Sequence, residues 1–252
     1  MICSVLVITG DGINCERETA RAFEGAQTKI LHVNEFLKHP EILLDHQIFC
    51  IPGGFSFGDE LRSGKILAEK MRSSLAAIFQ KYTAQGGLTL GVCNGFQVLI
   101  QLGAFTGVDH ARSVTLATND HGRFRDLWVE VDITDEAKKS PWFQNMSGAL
   151  QLPIRHKEGR ITVKADDTQT RLHIPLRYRD EVNGSFDRAA ALLDETGQIL
   201  GLMPHPEAAT HAFLNPLAVS DEQKEQNAQA VKTLFQNAIH YWQTKTSGKK
   251  SS

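Results

Sequence analysis

The chain has 252 residues, 41% of them hydrophobic and 22% charged, the composition of an ordinary globular protein with enough length for a substantial core. Lysine and arginine number 27 against 29 aspartates and glutamates, a net charge of −2, so no strong positive field favours nucleic acid. Four cysteines, Cys3, Cys15, Cys50 and Cys93, form no C-x-x-C pair and give neither a disulfide framework nor a zinc site, which fits reduced thiols in a cytoplasm. The first apolar run, residues 5–8, is too short for the core of a signal peptide and has no basic residue ahead of it. Nothing approaches the roughly 20 apolar residues of a membrane span, so neither secretion nor membrane insertion is expected.

The first 105 residues alternate short β-rich runs with helical patterns. Residues 5–8 read as a buried strand ending at Gly10-Asp11-Gly12, and residues 15–23 as a helix stopped by Gly25. A second strand is expected near 29–33, a short helix at Phe36 and Leu37, and a third strand over 48–51 that ends at Pro52-Gly53-Gly54. A helix over 65–82 carries Ile66, Leu67, Met71, Leu75, Ile78 and Phe79 near helical spacing; a strand over 88–92 and a short helix over 96–102 follow. Such alternation implies an α/β fold, a mostly parallel central sheet with helices on both faces. The pattern then changes. Residues 114–117, 127–133, 150–154, 161–164 and 172–178 are candidate strands without long helices between them, and 189–193 with 199–203 suggests a hairpin around Thr196-Gly197. This predicts an additional antiparallel β region. Residues 221–242 read as a closing helix, with Ala230, Leu234, Ala238 and Tyr241 on one stripe, and 246–252 as a frayed polar tail. The expected organisation is one domain over 1–244 and a polar tail over 245–252.

In Leu90-Gly91-Val92-Cys93-Asn94-Gly95-Phe96-Gln97 a strand runs straight into a cysteine with glycines two residues before and two after, and a helix follows. This is the cysteine form of a nucleophile elbow, whose tight turn requires small neighbours. The helix N-terminus beside the sulfur favours a thiolate, and the Asn94 amide is placed to donate to a developing oxyanion. A buried structural cysteine is the alternative. A cysteine nucleophile needs a base and an orienting group, and Met203-Pro204-His205-Pro206-Glu207 offers both. Pro206 biases His205 toward extended chain, in which residues two apart point to the same side, so His205 and Glu207 are expected side by side. For a chain with ten histidines a surface loop histidine is the plain alternative. The paired glycines Gly53-Gly54 after a strand can present free amides to an anion, or can be a simple turn. No Gly-Lys-Ser/Thr follows them and Gly10-Asp11-Gly12 lacks a third glycine, so phosphate-loop and dinucleotide sites have no support.

These residues, in this order, resemble the triad of class I glutamine amidotransferases, and within them the glutaminase subunits of phosphoribosylformylglycinamidine synthase. Pro52-Gly53-Gly54-Phe55-Ser56-Phe57-Gly58-Asp59, Leu61-Arg62-Ser63-Gly64 and Gly91-Val92-Cys93-Asn94-Gly95-Phe96-Gln97 match that group. So do Leu152-Pro153-Ile154, His156, Glu158-Gly159-Arg160, Arg177-Tyr178, Asn183-Gly184-Ser185 and residues 201–207. The sequence departs at Lys157, where the family often has glycine, and at Ala208, where it often has arginine after the triad glutamate. Neither is a triad position; local contacts to substrate or partner are what they put in question.

The resemblance implies glutamine hydrolysis, with Cys93 attacking the amide carbon, His205 passing a proton to the leaving ammonia and Glu207 orienting His205. Asn94 and the Gly53-Gly54 loop would hold the oxyanion and Gln97 would shape the glutamine pocket, with His156 a further candidate for its wall. It implies no metal and no cofactor in this chain. ATP and magnesium are expected in a partner synthetase that uses the ammonia to convert formylglycinamide ribonucleotide to formylglycinamidine ribonucleotide in de novo purine biosynthesis. Since the first strand begins within five residues of the start, that synthetase is expected as a separate subunit, with a small bridging subunit in the same complex. Competing readings are an amidotransferase of another pathway, a cysteine hydrolase or peptidase, and a non-catalytic scaffold of a synthetase assembly.

Overall fold

Strands that lie between two layers of helices must be apolar on both faces, and the early strands of this chain are. The structure, a computed structural model, describes residues 2–54, 65–106, 113–164 and 171–248. The expected motif residues 55–59 and 61–64 lie outside the described residues. Strands β1 (Ser4–Thr9), β3 (Ile48–Ile51) and β4 (Leu88–Val92) are buried almost throughout, while β2 (Gln27–His32) runs along an edge with most of its residues exposed. Together with β10 (Ala191–Leu193) and β11 (Ile199–Leu202) they form a six-stranded sheet in the order β10-β11-β4-β3-β1-β2. All neighbours in it are parallel except β10 and β11. Helices α1 (Glu16–Ala22), α2 (Val33–Lys38) and α3 (Lys65–Ala84) make the crossovers, and α4 (Asn94–Gln101) follows β4.

The antiparallel region is present as two smaller sheets. One pairs β5 (Val114–Thr118) with β8 (Glu158–Val163); the other places β6 (Arg125–Ile133) between β7 (Ala149–His156) and β9 (Leu176–Tyr178). The last strand is shorter than the expected 172–178. Pro175 has no N–H for a ladder, and His173 keeps only an isolated bridge to Leu193. The hairpin at Thr196-Gly197 forms, with Gly197 at φ +71° and its N–H donating to the Asp194 carbonyl at 3.0 Å. The whole hairpin joins the central sheet, where its second strand also pairs in parallel with β4.

Helix α5 (Asp221–Gly248) closes the fold. Ser220 and Gln223 form a reciprocal cap: the Gln223 N–H donates to Ser220 Oγ at 3.2 Å, and the Ser220 N–H to Gln223 Oε1 at 3.0 Å. The helix buries Val231, Leu234, Phe235 and Ala238, and Phe235 meets Phe23 edge to face at 5.0 Å. Val231, Leu234 and Phe235 each contribute about 1.5–3 kcal/mol by leaving water, and Ala238 less. The helix runs six residues past the expected end because no breaker intervenes before Gly248, and Lys245 packs its ammonium over the Tyr241 ring at 4.6 Å.

Candidate active site

Three loops meet because three strands are neighbours. In register, Ile51 of β3 lies beside Gly91 of β4, and Leu202 of β11 beside Val92. The carboxyl ends of β3, β4 and β11 therefore deliver Pro52-Gly53-Gly54, Cys93 and the His205 loop to one place, the end of an open α/β sheet where sites form. A polar cleft of about 660 Å³, lined by Gly86, Gln198 and Lys245 among others, lies at the amino ends of β4 and β11 and takes no part in this arrangement.

Cys93 is buried at 6% exposure and holds φ 49°, ψ −103°, a conformation that costs a residue with a Cβ on the order of 1–3 kcal/mol. The turn is held from both sides: the Cys93 N–H donates to the Leu202 carbonyl at 2.8 Å, and its own carbonyl accepts the first bond of α4 from the Gln97 N–H at 3.0 Å. Helix α4 thus begins at Asn94, two residues before the expected start, with Cys93 in the capping position. Gly95 is obligatory, since a Cβ there would overlap the Ile51 carbonyl oxygen of the neighbouring strand. The Cys93 sulfur lies 3.8 Å from the Arg155 carbonyl of β7.

His205 is fixed by a backbone bond from its N–H to the Pro153 carbonyl at 2.8 Å. The chain beyond it is not extended as expected. Pro206 instead starts a 3-10 turn over Pro206–Ala209, a position that suits its fixed φ, and the turn brings Glu207 back under the ring. His205 Nδ1 lies 2.6 Å from Glu207 Oε1, with both side chains almost fully buried. A carboxylate at Nδ1 makes that nitrogen the proton donor, and leaves Nε2, which is buried with no partner oxygen or nitrogen, for a proton in transit. Burial alone would depress the basicity of His205, but the Glu207 charge and hydrogen bonding of the imidazolium to the Cys15 and Cys93 sulfurs outweigh it and hold the imidazole pKa well above its ordinary value.

One residue of this cluster was not expected from sequence. Cys15, at the start of α1, places its sulfur 3.9 Å from His205 Nδ1. The Asn14 and Cys15 N–H groups both donate to the Gly53 carbonyl at 3.3 Å, which ties the loop after β1 to the loop after β3. Gly53 makes room for both, since a Cβ there would stand 2.6 Å from His205 Cε1 and 3.4 Å from the Cys15 sulfur. Burial pushes the Cys15 thiol up, with Glu207 adding to the effect and the His205 hydrogen bond opposing it. The only signal in the sequence was the place of Cys15, a few residues beyond the end of a buried parallel strand.

The amide of Gln97 is engaged at both ends. Its oxygen accepts from Asn94 Nδ2 at 3.0 Å, and its nitrogen donates to the Glu158 carbonyl at 2.7 Å, so it tethers the turn between β7 and β8 to the elbow helix. His156, at the end of β7, is buried, and its tautomer follows from Asn119. Asn119 Nδ2 donates to the Arg123 and His156 carbonyls at 3.0 Å each, so Oδ1 is an acceptor, and His156 Nδ1, 3.1 Å from it, carries the proton. His156 Nε2 then presents a lone pair, buried and without a partner. Burial, with smaller contributions from His205 and His121, pushes the His156 pKa down to about 4, so the ring is neutral. Lys157, the first departure from the family pattern, is exposed and uses its carbonyl to accept the Asn119 N–H at 2.8 Å. Ala208, the second, caps the turn after His205 with a backbone bond of 3.2 Å.

A strand-to-helix cysteine elbow next to a buried histidine and glutamate, carried on a mostly parallel sheet with extra antiparallel strands, defines a class I, triad-type glutamine amidotransferase. Residues 3–242 match the family model described as a CobB/CobQ-like glutamine amidotransferase domain. The phosphoribosylformylglycinamidine synthase subunit PurQ of Methanococcus maripaludis is 32% identical over 270 residues, covering 96% of this chain and 99% of the relative. That of Thermotoga maritima is 35% identical over 212 residues, covering 82% and 89%. A chain of the solved structure of PurLQS from Thermotoga maritima superposes with a TM-score of 0.75 at 30% identity, covering 96% of this chain and all of that one. The chain belongs to the PurQ family of glutamine amidotransferases.

Proposed function

We propose that this chain is the glutaminase component of a phosphoribosylformylglycinamidine synthase, hydrolysing glutamine and supplying the ammonia to a synthetase subunit that amidates formylglycinamide ribonucleotide in purine biosynthesis. Residues 1–244 act as one amidotransferase domain, docked in the cytoplasm on the synthetase and a small bridging subunit, with ATP and magnesium consumed by the partner. No helix among the described residues is long and apolar enough to cross a membrane.

The observation that carries the reading is the strained Cys93 elbow beside His205, whose far nitrogen is engaged by Glu207. Cys93 attacks the glutamine carboxamide to form a tetrahedral adduct. Its oxyanion is met by the N–H of Asn94 at the start of α4 and by the amides of the Gly53-Gly54 loop, dipoles fixed before the charge appears. His205, kept protonated by Glu207, gives its proton to the departing amine, so ammonia leaves and a thioester remains for water to cleave with His205 now acting as base. Glu207 fixes the tautomer and stabilises the imidazolium. Asn94 and Gln97 hold the pocket's shape through their mutual bond and the tether to Glu158. Of the two cysteines against His205, Cys93 is the nucleophile: it sits on the strained strand-to-helix elbow, whereas Cys15 shares the Nδ1 side with Glu207.

The test is Cys93→Ser in the reconstituted complex. Glutamine-dependent synthesis is expected to vanish while synthesis from added ammonium persists at the wild-type rate. Loss of both activities, or of neither, would overturn the assignment.

A further inference from the structure

Cys15 is badly placed to attack a substrate and well placed to bind a metal. Its sulfur, a ring nitrogen of His205 and a carboxylate oxygen of Glu207 all lie within 4.8 Å of one another; the sulfur is 3.9 Å from His205 Nδ1, and Nδ1 is 2.6 Å from Glu207 Oε1. A tetrahedral zinc ion with bonds of about 2.3 Å to sulfur and about 2.0–2.2 Å to nitrogen and oxygen holds S and N roughly 3.6 Å apart, and N and O roughly 3.4 Å apart. The sulfur and the ring therefore already stand near a zinc bite. Only the carboxylate must swing out, by somewhat under about 1 Å on the same bond lengths, and its second oxygen is buried with no partner of its own. Thiolate, imidazole and carboxylate form a donor set that suits zinc and other thiophilic divalent cations over magnesium or calcium. Access comes from the Cys15 side. Cys15 is partly exposed while His205 and Glu207 are buried, and Gly53 puts no side chain between the sulfur and the ring.

We infer that Cys15, His205 and Glu207 form an inhibitory site for a thiophilic divalent cation, best matched by zinc, with water as the fourth ligand. Binding involves no redox step. The Cys15 thiol proton and the His205 Nδ1 proton pass to solvent, bonds form from the metal to sulfur and to Nδ1, and Glu207 exchanges its hydrogen bond with Nδ1 for a bond to the ion. The ring, metallated at Nδ1, is then neutral only with its remaining proton held on Nε2, where it can neither accept a proton from Cys93 nor readily give one to the departing amine, so glutamine hydrolysis stops although Cys93 is untouched. The inhibitory consequence rests on the glutaminase reading; the metal binding does not.

Two measurements on the full chain separate these parts. In reduced, metal-free protein, added cobalt(II) is expected to produce a thiolate-to-cobalt charge-transfer absorption in wild type and in Cys93→Ser, and none in Cys15→Ala or in Cys15→Ser, which keeps the residue's size. A band that survives both Cys15 variants, or that disappears in Cys93→Ser, assigns the thiolate ligand to another cysteine and overturns the site; absence of a band in wild type overturns it as well. In the reconstituted complex, buffered zinc is expected to inhibit glutamine-dependent synthesis reversibly by EDTA, and the Cys15 variants to need at least about tenfold more zinc for the same inhibition. Equal zinc sensitivity of wild type and Cys15 variants overturns the inhibitory role.

Discussion

His205 is subject to opposing influences, and their balance sets its chemistry. Burial favours the neutral ring, while the Glu207 charge and the two cysteine sulfurs, as acceptors, favour the imidazolium and prevail. Because the folded pKa lies above the unfolded value, the pair stabilises the fold fully below the unfolded pKa, and that contribution is lost as pH rises through the folded one. In the proposed catalysis the same shift keeps a proton available for departing ammonia at neutral pH. Glu207→Gln retains the shape and removes the charge, so the imidazolium is expected to deprotonate at lower pH. The alkaline limb of kcat/KM for glutamine should move down the pH scale, and the rate should fall by about 10². A pH–rate profile of the reconstituted complex reads both; an unmoved alkaline limb would show that Glu207 does not set the basicity of His205.

At the scale of elements, the site is built from ends. Cys93 is the junction of β4 and α4, His205 lies between β11 and a proline-started turn, and Cys15 precedes α1. The ends are held by backbone bonds, Cys93 to Leu202 and His205 to Pro153, so the rigidity of the sheets is passed to the side chains. Helix α5 secures the far side of β7, where Asn227 exchanges two hydrogen bonds with the Gln151 backbone at 2.7 and 2.9 Å. The cap of that helix is testable by itself. Ser220→Ala removes the acceptor for the Gln223 N–H and is expected to lower the unfolding free energy by about 1 kcal/mol in a urea titration, while Ser220→Asp, which can cap, should lose much less. Equal losses in the two variants would assign the effect to something other than capping.

Over the whole molecule, stability is pH-sensitive through His156, which ties the end of β7 to Asn119 beyond β5. The residue is buried and neutral, with its pKa near 4 against an unfolded value of 6.5. A depressed histidine pKa means that the unfolded chain takes up the proton first. Stability is therefore lost as pH falls from about 6.5 to about 4, by up to about 3 kcal/mol from this residue, of which about 2 kcal/mol falls between pH 7 and pH 5. His156→Gln is expected to be less stable than wild type at pH 7 and to show a correspondingly shallower decline toward pH 5. A decline as steep as that of wild type would place the acid sensitivity elsewhere.

The fold class was legible in the sequence because its signals are local. Continuous apolar runs between helical patterns specify buried parallel strands, and Gly91 and Gly95 around Cys93 specify the elbow, since a side chain at Gly95 cannot coexist with the Ile51 carbonyl. Pro206 likewise marked the His205 loop, although it forms a turn where extended chain was expected. What only the tertiary structure decided depends on which distant segments share a hydrogen-bonded edge. Periodicity gives a strand's face but not its neighbour, so nothing local announced that β11 would lie between its hairpin partner β10 and β4 and bring His205 to Cys93. The tautomer of His156 depends on Asn119, 37 residues away, and the approach of Cys15 to His205 spans 190 residues. The sequence by itself marked the residues proposed to carry the chemistry and the elbow that presents Cys93; strand order, set by long-range backbone pairing, determined what each of them touches.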